Sequence, residues 1–159
     1  MSDVLLSLGS NIGDRAANLA EAIRRLGAEP GVVIRAISPV YRTVPVGPVT
    51  QDDFVNGAVR IETDLAPEAL MRRCLAIEAA MGRDREKAVR WGPRLIDIDI
   101  ILFDDMAMDT QPLQLPHPRF HERAFVLVPI ADIAPEWIFR GQSLAHLAEL
   151  IDRAGVERV

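Results

Sequence analysis

The stretch RWGPRLIDIDIILF, Arg90 to Phe103, decides how the chain is read. From Leu95 onward it is nearly all aliphatic, rich in β-branched Ile and closed by Phe103, the pattern of an interior strand. Asp97 and Asp99 interrupt it. Strand side chains alternate between faces, so Ile96, Ile98, Ile100 and Leu102 are expected on one side. Both carboxylates then share the other side with Leu95, Ile101 and Phe103, their backbones about 7 Å apart at a rise of about 3.4 Å per residue. Two like charges on a half-buried surface are costly unless a cation or a hydrogen-bond network answers them. Hard oxygen ligands in this arrangement suit Mg²⁺, which keeps several waters and takes one or two carboxylates beside substrate phosphates. An isolated acidic pair is more often an edge feature matched to nearby arginines. Here the neighbours favour the phosphate reading. The preceding run GRDREKAVRWGPR carries Arg83, Arg85, Lys87, Arg90 and Arg94 against Asp84 and Glu86, and guanidinium forks match phosphate oxygens. Carboxylates for a cation and arginines for an anion are what phosphoryl transfer asks of a protein.

Outward from this strand the chain alternates short elements. Val4 to Leu8 reads as a strand, followed by the turn GSNIGDR with Asp14 placed to cap a helix. Leu19, Ile23 and Leu26 recur at helical spacing until Gly27 and Pro30. Val32 to Tyr41 is β-rich, and Val55 to Glu62 is a second strand. On it Val55, Gly57, Val59 and Ile61 face one way and Phe54, Asn56, Ala58 and Arg60 the other. Between them lies the loop TVPVGPVTQDD, long enough to suggest a functional role. Asp64 and Pro67 open a helix with the apolar stripe Leu70, Cys74, Ile77 and Met81, Glu78 at its edge, and Gly82 at its end. After the aspartate strand come a hairpin over Asp104 to Leu115, a turn at LPHPRF, a helix over Glu122 to Ile133 and a last helix from Ser143 to Arg153. The order strand, helix, strand, strand, helix, strand predicts an α+β ferredoxin-like sandwich (βαββαβ, antiparallel sheet) with a C-terminal hairpin and helical extension. Helices are expected on one face; Phe54, Asn56, Asp97 and Asp99 share the other.

The totals bound the function. A chain of 159 residues, 49% hydrophobic and 26% charged, suits one domain, 1–159, with a single core. The formal net charge of -5 argues against a nucleic-acid partner, and no apolar run approaches the roughly 20 residues that span a bilayer. The expectation is a cytoplasmic protein without membrane contact, a monomer or weak homodimer. All but one of the 18 basic residues are arginine, so their position carries the argument and their abundance does not. The glycine loop LGSNIGDR matches neither GxxxxGK[ST] nor GxGxxG. His117, His121 and His146 show no metal-ligand spacing with Cys74, and a lone helical cysteine is expected to pack inertly. An RNA-binding module on the same fold would need aromatic base-stacking motifs that are missing, aromatics being only 5%.

GSNIGDR, SPVYRTVPVGPVTQDDFVNGAV, GRDREKAVRWGPRLIDIDIILF and LPHPRFHERAFVLVPIADIAPE, in that order, resemble the 6-hydroxymethyl-7,8-dihydropterin pyrophosphokinases of folate biosynthesis, from about Leu6 to Glu136. The resemblance implies transfer of the diphosphoryl group of ATP to the hydroxymethyl oxygen of 6-hydroxymethyl-7,8-dihydropterin, leaving AMP. It implies that Asp97 and Asp99 bind two Mg²⁺ ions and that Arg83 and Arg94 neutralise phosphate charge during transfer. Arg85 and Trp91 would help close a loop, His117 and Arg123 would hold phosphate oxygens, and Glu78 and Ile100 would lie at the nucleotide. Phe54 and Phe125 would sandwich the pterin, joined by Asn56, Thr43, Pro45, Val46 and Asp97. The sequence departs from the common pattern at Val44, Leu75, Pro112 and Pro118, which bears on individual nucleotide contacts.

Overall fold

The computed structural model describes residues 1–44, 53–82, 95–111 and 113–159. Its sheet is organised around β1 (Ser2–Ser10), whose apolar run Val4, Leu5, Leu6 and Leu8 is buried on both faces. A strand buried this way must have neighbours on both edges and layers on both sides. After β1 come α1 (Arg15–Ala28), β2 (Val32–Ile37), β3 (Tyr41–Thr43), β4 (Phe54–Thr63), α2 (Pro67–Ala80) and β5 (Asp97–Phe103). β1 pairs antiparallel with β4 on one side and β5 on the other. β2 and β3 both pair with β4, β2 along Val59 to Thr63 and β3 along Phe54 to Asn56. The expected single segment Val32 to Tyr41 is therefore two strands. Pro39 has no N–H to offer a ladder, and at the break the Ser38 hydroxyl instead accepts from the Ala58 amide at 2.8 Å.

α1 starts as read: the Asp14 carboxylate accepts from the Ala17 amide at 3.2 Å. α2 starts differently. Its cap residue is Ala66, which makes no side-chain cap, and Pro67 sits in the first turn; Asp64 is not the cap. Leu19 and Leu26 of α1 and Leu70, Cys74 and Ile77 of α2 pack on Leu6, Leu8, Val59, Ile61, Ile98 and Ile100 of the sheet. The opposite face is also covered. After β6 (Met108–Asp109), β7 (Gln114–Leu115) and a 3₁₀ turn at Phe120–Glu122, α3 (Ala124–Ile133) packs Val126, Leu127 and Ile130 on Leu5, Ala58, Ile101 and Leu102. The small hairpin β8 (Ile138–Phe139) and β9 (Gln142–Ser143), then α4 (Leu144–Leu150) and β10 (Val156–Arg158), complete the chain. The ferredoxin-like arrangement is present, strand order β10-β3-β4-β1-β5 with β2 beside β4. Helices on one face only was the wrong expectation: the extension supplies a second helical layer.

The aspartate strand β5 departs from strict alternation. The β1–β5 register is Leu6↔Ile100 and then Leu5↔Leu102, so Ile101 is an extra residue, a β-bulge. Past it the alternation inverts. Ile98 and Ile100 lie with α1 and α2, Ile101 and Leu102 both belong to the α3 face, and Phe103 returns to the first core. Leu102 and Phe103 thus occupy the faces opposite to those strict alternation predicts, while Asp97 and Asp99, before the bulge, keep theirs.

Candidate active site

Cross-strand register brings the predicted residues into rows. Asp97 of β5 lies opposite Gly9 of β1, Gly9 opposite Asn56 of β4, and Asn56 opposite Tyr41 of β3. In the next row Asp99 faces Ser7, and Ser7 faces Ala58. With strands about 4.8 Å apart, the acid and the amide are separated by about 10 Å across a residue that has no side chain. Gly9 is needed there: a Cβ would stand 2.8 Å from Asn56 Oδ1 and 3.8 Å from Phe54 Cδ1. The result is a bare strip of sheet floor bounded by Asp97, Asn56 and Phe54.

Asn56 is buried, and its Nδ2 donates to Thr43 Oγ1 at 2.6 Å. That bond holds the amide in place, with its Oδ1 beside Gly9. Thr43 is buried at the end of β3, opposite Phe54. Phe125 sits half-buried at the start of α3 against the Leu5 and Leu127 core. Pro45, Val46, Arg83, Arg85, Trp91, Arg94 and Pro112 lie outside the described residues.

On the other side of the acid pair is a cleft of about 370 Å³. It opens between α2, the outer edge of β5 and the β6–β7 hairpin, and its walls include Leu75, Asp99, Ile100, Gln111, His117 and Pro118. The turn that carries His117 is fixed to the strand, since the His117 amide donates to the Ile101 carbonyl at 2.8 Å. Its Nδ1–H donates to the Pro118 carbonyl at 2.8 Å, which leaves Nε2 as the atom free to titrate. Burial first, and then the positive charge of Arg123, hold the imidazole below its ordinary value, with the Pro118 carbonyl and Asp97 opposing. His117 is therefore neutral at pH 7 before a ligand arrives. Arg123 itself stands immediately before α3.

Glu78 is placed more deeply than its position on the helix stripe suggests. It is 1% exposed, and its Oε2 accepts the backbone N–H of Ile98 at 2.8 Å. Ile98 is the residue between the two aspartates, so this buried carboxylate pins the backbone that spaces them. Met71, Cys74 and Leu75, rather than Glu78, are the helix residues on the cleft wall. Burial, with Glu78 and Asp99 adding to it, pushes the Cys74 thiol up to about 12, which makes it a packing residue. Among the described residues no three His, Cys, Asp or Glu side chains group to cage a metal. A pair of carboxylates fits the alternative, an octahedral cation completed by water and phosphate oxygens.

Residues 5–135 match the sequence family described as 7,8-dihydro-6-hydroxymethylpterin-pyrophosphokinase. The chain belongs to this family. A member is a diphosphokinase that moves the diphosphoryl group of ATP onto hydroxymethyldihydropterin in folate biosynthesis. The chain is 48% identical over 159 residues to the 2-amino-4-hydroxy-6-hydroxymethyldihydropteridine pyrophosphokinase of Methylorubrum extorquens, covering 100% of this chain and 99% of that one. It is 45% identical over 131 residues to the Bacillus subtilis enzyme of the same name, covering 82% and 77%. Among solved structures it superposes on Plasmodium falciparum HPPK-DHPS, wild type with pteroate, at a TM-score of 0.72 and 16% identity, covering 93% of this chain and 42% of that one. The chain thus spans less than half of that larger protein, and the likeness at that identity is one of fold. Sequence reasoning took Gly9 for a turn residue, whereas it lies within β1, and did not single out Ser7, which matters only through register, or the hairpin residue Gln111, whose polarity suits any exposed turn.

Proposed function

We propose that the acid pair is the junction of two substrate sites, ATP in the cleft and the pterin on the Gly9 strip, with two Mg²⁺ ions held by Asp97 and Asp99. The observation that carries this is positional: Asp99 lines the cleft, while Asp97 heads the row that runs through Gly9 to Asn56. Bound there, Mg²⁺ would supply positive charge to the phosphate oxygens. Phe54 and Phe125 stack on the pterin, and Asn56, which can donate and accept at once, reads its amide edge. Thr43, Pro45 and Val46 complete that recognition. Ile100 borders the nucleotide, with Glu78 acting on it through the strand.

In the transfer the hydroxymethyl oxygen attacks the β-phosphorus of ATP. The bond from that phosphorus to the oxygen bridging it to the α-phosphorus breaks, AMP departs with that oxygen, and the hydroxyl proton passes to solvent. Arg83 and Arg94 neutralise the charge that shifts onto the phosphate oxygens, His117 and Arg123 hold phosphate oxygens, His117 by taking up a proton at Nε2, and Arg85 and Trp91 help close the site against water. We read residues 1–159 as one domain working in the cytoplasm on these two small molecules, as a monomer or weak homodimer without nucleic acid or membrane. No helix of the described residues is long and apolar enough to cross a membrane.

The test follows AMP formation from ATP and the dihydropterin in protein stripped with a chelator and titrated with MgCl₂. AMP should appear only as Mg²⁺ is restored. Asp97→Asn and Asp99→Asn should each lower kcat by about a hundredfold or more, in the range of losing a transition-state charge contact. Full activity in either variant, or turnover indifferent to Mg²⁺, would make the carboxylates structural.

A further inference from the structure

The last strand of the chain lies beyond the family match, which ends at residue 135, yet it is built into the pterin side of the sheet. β10 pairs antiparallel with β3 through Val156↔Thr43, Glu157↔Arg42 and Arg158↔Tyr41. β3 is only three residues long, and it is held on one edge by β4 and on the other by β10. A strand that short gains little from its own ladder. β10 extends the hold past both ends: the Val44 amide donates to the Gly155 carbonyl at 3.1 Å, and the Val159 amide to the Val40 carbonyl at 2.9 Å. Below the sheet the Tyr41 hydroxyl donates to Asp132 of α3. Residues 40–44 are thus clamped from three directions, immediately before Pro45 and Val46 in the sequence.

What the clamp positions is specific. Thr43 Oγ1 accepts from Asn56 Nδ2, and that bond holds the Asn56 amide in its place over Gly9. If Thr43 drifts, the amide is free to rotate or to shift toward the glycine. The nucleotide cleft does not share this dependence, because β5 is at the opposite edge of the sheet from β10.

We infer that β10 is a positioning strand for the pterin site, acting through β3 and Thr43 on the placement of the Asn56 amide. This rests on the reading of Thr43 and Asn56 as pterin contacts, and the two are separated by experiment. In the full chain, Asn56→Ala and Thr43→Ala test the contacts; unchanged KM for the pterin in both would refute that reading, whatever β10 does. For the strand, two variants serve: a chain stopped after Ala154, and Glu157→Pro, which removes an N–H from β10 without shortening it. Both should raise the pterin KM about tenfold or more while leaving the ATP KM within about twofold and the melting temperature near that of the parent. Reduced pterin discrimination against analogues altered at the amide edge should accompany the change. An unchanged pterin KM in both strand variants would overturn the inference. So would a rise of the two KM values together, which would mark β10 as general scaffolding.

Discussion

Replacing Glu78 separates a positioning role from a ligand-binding one. The carboxylate is 1% exposed and accepts the Ile98 amide at 2.8 Å. Glu78→Leu keeps most of the volume but leaves that amide without its acceptor, a loss of about 1–3 kcal/mol. In a chain of this size each kcal/mol shifts the midpoint by about 2–4 °C, so a fall of about 2–12 °C is expected. The kinetic effect should exceed the stability effect. Ile98 separates Asp97 from Asp99, and a misplacement of about 1 Å in a catalytic group can cost about a hundredfold in rate. Glu78→Gln retains an acceptor oxygen and gives up the charge, a difference of about 1 kcal/mol between a charged and a neutral hydrogen bond.

Thermal melting and AMP formation, measured on both variants, decide the matter. Glu78→Leu should lower kcat by about tenfold to a hundredfold, and Glu78→Gln by only a few-fold. If Glu78→Gln is as impaired as Glu78→Leu, the negative charge itself is required and the carboxylate acts on more than the strand. If Glu78→Leu folds and turns over like the parent, this bond does not space the aspartates.

Other consequences are simpler to state. Gly9→Ala places a Cβ against an Asn56 oxygen whose amide is already tied to Thr43; it should cost about 1–3 kcal/mol and raise the pterin KM more than the ATP KM, and equal effects on both would contradict the strip. The Cys74 thiol, pushed up to about 12 by burial, should resist thiol reagents at pH 8 in the native state and react once the chain is unfolded; prompt native labelling would refute its burial. His117 has a folded-state pKa below its ordinary value, so the unfolded chain binds the proton more readily. Its contribution to stability is present above about pH 6.5 and is lost as pH falls through that value toward the folded pKa. The melting-temperature gap between the parent and His117→Asn should therefore narrow from pH 7 to pH 5.5, and a widening gap would show the sign to be wrong.

The element order was legible because periodicity reports burial, and β1, α1, β4, α2 and β5 are each long enough to show a period. The side facing of β4 was legible for the same reason: Val59 and Ile61 belong to one core, and Ala58 to the other. Short elements escaped. β8, β9 and β10 have two or three residues each, too few to alternate, and they exist only because a longer neighbour offers an edge. Glu78 was misplaced because a glutamate on a helix is ordinarily solvated, and only the tertiary meeting of α2 with β5 supplies the amide that allows its burial. Gly9 was legible as a turn-like residue and illegible as a floor, because the need for it comes from Asn56, far along the chain. The bulge at Ile101 left no mark, since Ile101, Leu102 and Phe103 are apolar and suit either face.

That bulge explains the puzzle posed by two aspartates in a buried strand. Before it, β5 has one face on the α1–α2 core and the other on the candidate site, so Ile98 and Ile100 are buried while Asp97 and Asp99 stay half-buried, beside Gly9 and the cleft. After it, both faces meet apolar layers, α2 with α1 on one side and α3 on the other, and every residue from Ile101 to Phe103 is buried. A strictly alternating strand would carry its site face on toward α3 with unaltered spacing. The extra residue ends the polar row at Asp99, lets Leu102 join Ile101 under α3, and turns Phe103 back into the first core. One seven-residue strand thereby serves as the ledge of the candidate site and as core, and the apolar half that follows the acids anchors them. An insertion or deletion at Ile101 would shift this boundary, exchanging acids for core residues at one end or core residues for solvent at the other.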